Sequence, residues 1–424
     1  MRTNAIQTML EKADEVLKEN QVLCQMFKQC FVSTCDTSTQ IIEDKTYIIT
    51  GDINAMWLRD SSAQVNHYLP FIHKDEELRQ MIAGLIKNQI DYILLDPYAN
   101  AFLKEPINER EYYDQTDMHP LVWERKYELD SLCYPIRLSY QYYHNTQQRD
   151  VFTKEFSKCL YKIIEVFTLE QRHFENSTYR FERDMAKVWG LEKTETLQNH
   201  GKGMPVNYTG MTWSGFRPSD DACRFHYNIP GNMFVSLILG YIQEFATDIY
   251  QDEVLEEKAK TLQFEINYGI ELYGIVEHPK YGKIYAFETD GYGNHYLMDD
   301  ANVPSLLSMP YLGYLKVDDP IYQNTRQFIL SDDNPFYYQG EKISGVGSPH
   351  TWVNYVWPIG VTMQGLTSSS REEMLECIDM IVSSTGDTGY CHESVHVDDD
   401  LKYTRPWFCW ANSLFTELVI KAYF

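Results

Sequence analysis

The stretch His392-Glu393-Ser394-Val395-His396 matches the H-E-x-x-H pattern, in which two histidines hold zinc and the glutamate acts as general base. That chemistry needs both imidazoles on one face of a helix and a third ligand, for which Glu417 is the downstream candidate. The flanks argue against the helix. Gly386 and Gly389 interrupt it just before the motif, and Val397 followed by Asp398, Asp399 and Asp400 reads as strand end and turn. The expectation is a loop carboxylate at Glu393, with His392 and His396 as hydrogen-bonded loop histidines.

Other reactive side chains gather in segments of the same kind: MWLRDSSAQ (56–64), YYDQTDMHP (112–120), GMTWSGFRPSDDACRF (210–225), MDDANVP (298–304), GVGSPHTW (345–352) and GYCHESVHVDDDLKYTRPWFCW (389–410). Together they mix acids with Trp, Tyr, Arg and His, whereas an ordinary solvent loop has little use for Trp. A polar, aromatic-lined pocket with paired carboxylates suits glycoside hydrolysis. One acid protonates the leaving oxygen, and a second activates water or attacks the anomeric carbon. Asp60, Asp117, Asp220, Asp221, Asp299, Asp300, Glu393 and Asp398 to Asp400 are the candidates, and spacing alone does not choose the reacting two.

These segments must be positioned by helices. Ile6, Met9, Leu10, Ala13, Val16, Leu17, Leu23, Met26, Phe27 and Phe31 recur at helical spacing in the first element. Further helical stretches are predicted near 61–72, 75–95, 128–145, 150–170, 230–249, 253–273, 301–313, 319–330, 352–367, 370–384 and 410–422. Strand-like pieces are short: TYIITG (46–51), YRFER (179–183) and GIVEHPKYGKIYAFET (274–289). No strands alternate with the helices, so a parallel α/β sheet is disfavoured. A dozen paired helices imply an all-α toroid of six hairpins, decorated with small β-hairpins and spanning 1–424 as one domain. Its loops would surround a central cavity.

Composition bounds the partners. The chain has 424 residues, 44% of them apolar, and a net charge of -24. A surplus of acid disfavours nucleic acid and anionic membranes as partners, while the 32 Tyr, 20 Phe and 8 Trp offer faces for sugar rings. Nine cysteines without a C-x-x-C pair argue against a disulfide framework. No apolar run reaches about 18 residues and the first residues lack a signal-peptide core, so a cytoplasmic protein is expected. Oligomeric state is not readable.

GDINAMWLRDSSAQ, SGFRPSDDACRFHYNIPGN, MDDANVPSLL and CHESVHVDDDLKYTRPWFCWANSLF resemble glycoside hydrolase family 125, the bacterial members above all, and the likeness runs over essentially the whole chain. The resemblance implies an (α/α)6 barrel and an inverting exo-α-1,6-mannosidase that works on α-mannosides without metal or cofactor. It implies Asp220 as general acid and Glu393 as general base, about 6.5–9.5 Å apart with a water between them. Asp220 would protonate O6 of the leaving sugar and the product would be β-mannose. Arg59, Asp60, Asn302, His350 and Arg405 would hold hydroxyls of the terminal mannose. Arg217 lies in the acid loop, and Trp57, Trp213 and Trp407 could stack on or enclose the rings. Rival readings are a zinc metallopeptidase through His392 and His396, a mannoside-binding protein without turnover, and another glycosidase or lyase on the same toroid.

Overall fold

The computed structural model describes residues 2–107, 114–184 and 195–424. Helices dominate: α1 Asn4–Val16, α2 Gln21–Ser33, α3 Leu58–Ala63, α4 Glu76–Leu95, α5 Leu129–Thr146, α6 Lys154–Glu170, α7 Ile229–Phe245, α8 Glu253–Tyr273, α9 Met309–Leu312, α10 Pro320–Ile329, α11 Pro358–Leu366, α12 Arg371–Val382 and α13 Cys409–Tyr423. From α2 onward they alternate between two rings. α3 packs on α5, α5 on α7, α7 on α9, α11 on α13, and α13 on α3. These form the inner ring, and they are covered on nearly every side: all six residues of α3 are buried, its Arg, Asp and Ser among them. The outer helices α2, α4, α6, α8, α10 and α12 are amphipathic and pack one face inward. This is an (α/α)6 barrel, with α1 laid against α2.

The two rings begin differently. Each outer helix starts at a Ser, Thr, Asp or Asn whose side chain accepts a backbone N–H of the first turn: Asn20, Asp75, Thr153, Asp252, Asp319 and Ser370. Of the inner helices only α7 does so, through Asn228. The inner helices α3, α5, α11 and α13 follow Trp57, Glu128, Trp357 and Phe408, none of which caps the helix with its side chain. Those side chains are turned to another use.

Short strands organise the segments between helices. β1 Thr39–Ile42 and β2 Lys45–Ile48 form a hairpin that lies on α4, where Gly84 leaves room for Thr46: a Cβ there would stand 2.8 Å from the threonine hydroxyl. β3 Met56–Trp57, β4 Ala101–Phe102 and β5 Val122–Glu124 make an antiparallel sheet with Trp57 opposite Ala101 and Ala101 opposite Glu124. Tyr355–Val356, Ser394–His396 and Asp399–Thr404 make another, with Val395 opposite both Val356 and Tyr403.

The predicted elements differ from the observed ones in five places: 61–72 is α3 followed by a 3-10 turn over Asn66–Phe71, 352–367 is helical only from Pro358, and three differences are larger. The first helix is two, split between Leu17 and Asn20. The stretch 301–313 is helical only over Met309–Leu312, and 179–183 contributes a single bridge from Arg183 to Asp114.

Candidate active site

The segments that precede the inner helices meet in a cavity of about 570 Å³. Trp57, Arg59 and Asp60 reach it from the start of α3, and Glu124 and Lys126 from the approach to α5. Asp220 comes from the approach to α7, Asn302 from that to α9, His350 and Trp357 from that to α11. Glu393, Arg405 and Phe408 come from the approach to α13.

Arg59 is the centre of one wall. Its Nη1 donates to Asp60 Oδ1 at 2.7 Å and its Nε to Asp130 Oδ2 at 2.8 Å. Its Nη2 donates to Glu128 Oε2 at 3.3 Å and to Asp220 Oδ1 at 2.9 Å. The Trp410 ring lies 5.3 Å beneath the guanidinium. Asp220 sits in a tight turn in which its N–H donates to the Arg217 carbonyl and the Arg217 N–H to the Asp221 carbonyl. Its φ is +67°, a left-handed conformation that costs about 1 kcal/mol or more in a non-glycine residue. Burial pushes the Asp220 carboxyl up, but Arg59 and Lys126 outweigh it and hold the group well below the usual carboxylate range. Glu128 moves the other way: burial pushes it well above its ordinary value, and Arg59 reverses this only in part.

The same cavity is lined by Glu393, just before the Ser394–His396 strand. Its N–H donates to the Thr404 carbonyl, and its Oε1 lies 3.5 Å from Arg405 Nη1. Arg405 also takes a left-handed turn, φ +52°, and pairs with Asp52. Next along, His350 Nδ1 meets Asp221 Oδ1 at 3.0 Å. Burial alone would discourage the imidazolium, but Asp221, with Glu393 and Glu195 nearby, pushes His350 up to about 10, so it carries a positive charge at neutral pH. Asn302 is fixed by Asp300, which takes its side-chain N–H at 3.1 Å and the Ser219 hydroxyl at 2.8 Å. Another part is ionic throughout: Lys126 bonds Glu195 at 2.7 Å, and Arg183 bonds Glu195 at 2.8 Å and Asp114 at 2.6 Å.

Trp57, Arg59, Asp60, Asp220, Asn302, His350, Glu393 and Arg405 are thus brought to one cavity. Trp213 and Arg217 are not, which corrects their expected place against the sugar. Trp213 is fully buried, stacked on His173 with centroids 3.6 Å apart. Arg217 is turned away to Glu288 at 2.6 Å, and Glu288 also accepts the Arg224 and Phe225 N–H groups, so this pair shapes the acid loop from behind. Trp407 points its indole N–H at Cys409 Sγ, and Asp117 is absent from the cavity lining. Tyr112 and Tyr113 of the second loop lie outside the described residues.

Glu128, Asp130, Asn100, Glu124, Lys126 and Asp52 escaped sequence reasoning. For four of them the signal was WERKYELD (123–130), acid-rich and aromatic like the other loops, whose end falls at the start of the helix predicted near 128–145.

The zinc geometry is not formed. Gly386 and Gly389 are both left-handed, and the motif runs into a strand instead of a helix. His392 turns its ring nitrogens to the Arg405 and Thr385 carbonyls, and Glu417 bonds Asn66 and Tyr311. Among the described residues no group of three or more His, Cys, Asp or Glu is placed to hold a metal ion, and no helix is long and apolar enough to cross a membrane.

The family described as metal-independent α-mannosidase (GH125) matches residues 20–420. A Schizosaccharomyces pombe protein named meiotically up-regulated gene 157 protein is 39% identical over 99% of this chain and 85% of its own length. A solved Streptococcus pneumoniae structure, from work on metal-independent α-mannosidases and the processing of N-linked glycans, holds α-1,6-mannobiose in a non-productive complex. It is 46% identical, covers 100% of this chain and 99% of its own, and superposes with a TM-score of 0.95. A bacterial glucoamylase bound to acarbose shares the fold alone, at 12% identity and a TM-score of 0.58.

Proposed function

The chain belongs to glycoside hydrolase family 125, the metal-independent α-mannosidases, and from that premise we propose that it is an inverting exo-enzyme that releases terminal α-1,6-linked mannose. The observation that carries the reading is the pair of carboxylates lining one cavity, Asp220 beside Arg59 and Glu393 beside Arg405. In this reading Asp220 gives its proton to the glycosidic oxygen as the bond to C1 breaks. Glu393 takes a proton from the water that attacks C1 from the other face.

Substrate orientation falls to groups with free edges into the cavity. Asp60 and Asn302 can accept and donate to adjacent hydroxyls, charged His350 and Arg405 donate, and Trp57 and Phe408 supply apolar faces. The α-1,6 linkage is carried over from the disaccharide in the Streptococcus pneumoniae complex, to which this chain is 46% identical.

Proton NMR of the first sugar released from α-1,6-mannobiose tests the reading. β-Mannose is expected, and initial release of α-mannose would overturn the inverting mechanism. Turnover that survives EDTA is expected as well; its loss would overturn the metal-independent reading.

A further inference from the structure

An enzyme that works by acid transfer must hold the proton when the sugar arrives, yet Asp220 is kept ionised by its neighbours. The surroundings supply that proton. Asp60, Glu128, Asp130 and Asp220 all accept from the one guanidinium of Arg59, and Arg59, Asp60, Glu128 and Asp130 are each at most 3% exposed. Four carboxylates sharing one guanidinium in so little solvent do not all stay charged, even with Lys126 and His350 acting on Asp220 and Arg405 on Asp60. Glu128 and Asp220 are the most closely tied of the four. Arg59 Nη2 donates to both, at 3.3 and 2.9 Å, and Asn100 Nδ2 donates to both, to Glu128 Oε1 at 3.2 Å and Asp220 Oδ1 at 3.4 Å. Since both are acceptors when ionised and crowd the same two donors, a proton on one of them relieves the pair.

We propose that Glu128, which does not line the cavity, is a positioning residue that stores the proton Asp220 delivers to the glycosidic oxygen. The inference rests on Asp220 being the general acid. As the sugar binds, the O–H bond of Glu128 breaks and one forms on Asp220. That bond breaks in turn as the leaving oxygen takes the proton and the electron pair of its bond to C1. Water forms the new bond to C1 and gives its proton to Glu393. The cycle resets when Glu393 releases that proton to solvent and Asp220, which lines the cavity, takes one up and returns it to Glu128.

The groups facing Glu128 agree with this placement. Arg59 and Asp60 come from α3, Asp130 and the Ser131 hydroxyl from its own helix, and Asp220 from the acid loop, while Lys126 and Glu124 act on Asp220 from the approach to α5. Burial raises Asp60, Glu128 and Asp130, the last to about 6, against the lowered Asp220. The proton therefore falls on the Glu128 side of the pair.

The test is the pH dependence of kcat/KM for wild type and Glu128→Gln on α-1,6-mannobiose and on 2,4-dinitrophenyl α-mannoside, whose leaving group needs no acid. Glu128→Gln is expected to lose about 100-fold or more on the disaccharide and far less on the aryl glycoside. Its alkaline limb on the disaccharide should move to lower pH, because Asp220 must then bind the proton unaided. Glu128→Asp should recover part of the loss. Equal losses on both substrates with an unmoved limb would mean a structural role and overturn the proposal. Asp220→Asn separates the two claims. If it still cleaves mannobiose, the acid assignment itself falls; if it does not while Glu128→Gln behaves as wild type, only the role of Glu128 falls. Should Glu128→Gln fail to fold, the wild-type profile decides. An alkaline limb well above the ordinary carboxylate value of about 4 supports storage on the pair, and a limb at or below it refutes it.

Discussion

Arg59 has no apolar substitute in this barrel, because it touches three buried acids, Asp60, Glu128 and Asp130, and the cavity-lining Asp220. Arg59→Met should cost about 3–5 kcal/mol at neutral pH, since the carboxylates left behind are uncompensated. Thermal melting would show this, and the deficit should shrink on acidification as those groups take up protons. At the chemical centre, Asp220→Asn and Glu393→Gln should each lower kcat/KM on α-1,6-mannobiose by about 10²–10⁴, with far-ultraviolet dichroism unchanged. The sequence pointed to these residues by type and setting, and Glu393 stood out even through a misleading zinc pattern. What it did not disclose was division of labour. Arg59 and Asp60 looked like sugar-holding groups, yet three bonds of Arg59 serve the acid and its neighbours, a relation set by segments 69 to 161 residues apart.

At the level of elements, the contrast between capped and uncapped helices separates scaffold from site. Where a helix only has to stand, its first N–H groups are met by Ser, Thr, Asp or Asn. Four of the helices that open on the cavity give the cap position instead to Trp57, Trp357 or Phe408, which line the pocket, or to Glu128. Asp319→Ala should therefore lower stability by about 1 kcal/mol and leave mannoside turnover as it is, which denaturant melts and steady-state rates would check side by side. Most helices were legible from periodicity. The stretch 301–313 was not, because its polar groups compete with the helix: Asp299 takes the Leu306 and Leu307 N–H groups, and Asp300 takes that of Asn302. The split of the first helix was missed because Leu17 and Leu23 continue the apolar spacing across Asn20, whose side chain caps the second helix.

For the molecule as a whole, the inner ring is joined below the site by Glu417 of α13. It accepts from Asn66 at 2.8 Å and from Tyr311 of α9 at 3.0 Å, while Arg137 of α5 donates to Asn66 and lies over the Tyr311 ring. Burial pushes Glu417 up to about 7, with Asn66 and Arg137 opposing. A carboxyl raised on folding contributes stability that is fully present below its unfolded pKa near 4.5 and is lost as pH rises through about 7. Glu417→Gln should remove that slope, on the order of 2 kcal/mol between pH 4.5 and 7, as read from melting temperatures across the range. The same helix also shuts the ring. α13 packs on α2, α3, α11 and α12, and Phe424 stacks on Phe27 at 5.4 Å, so the first and last elements meet. Closure thus joins the most distant parts of the chain, the slowest kind of contact to form. During refolding, most helical signal should return before any catalysis does, and turnover should reappear only with the final kinetic phase, when the late helix docks and carries Glu393 and Arg405 across to Asp220.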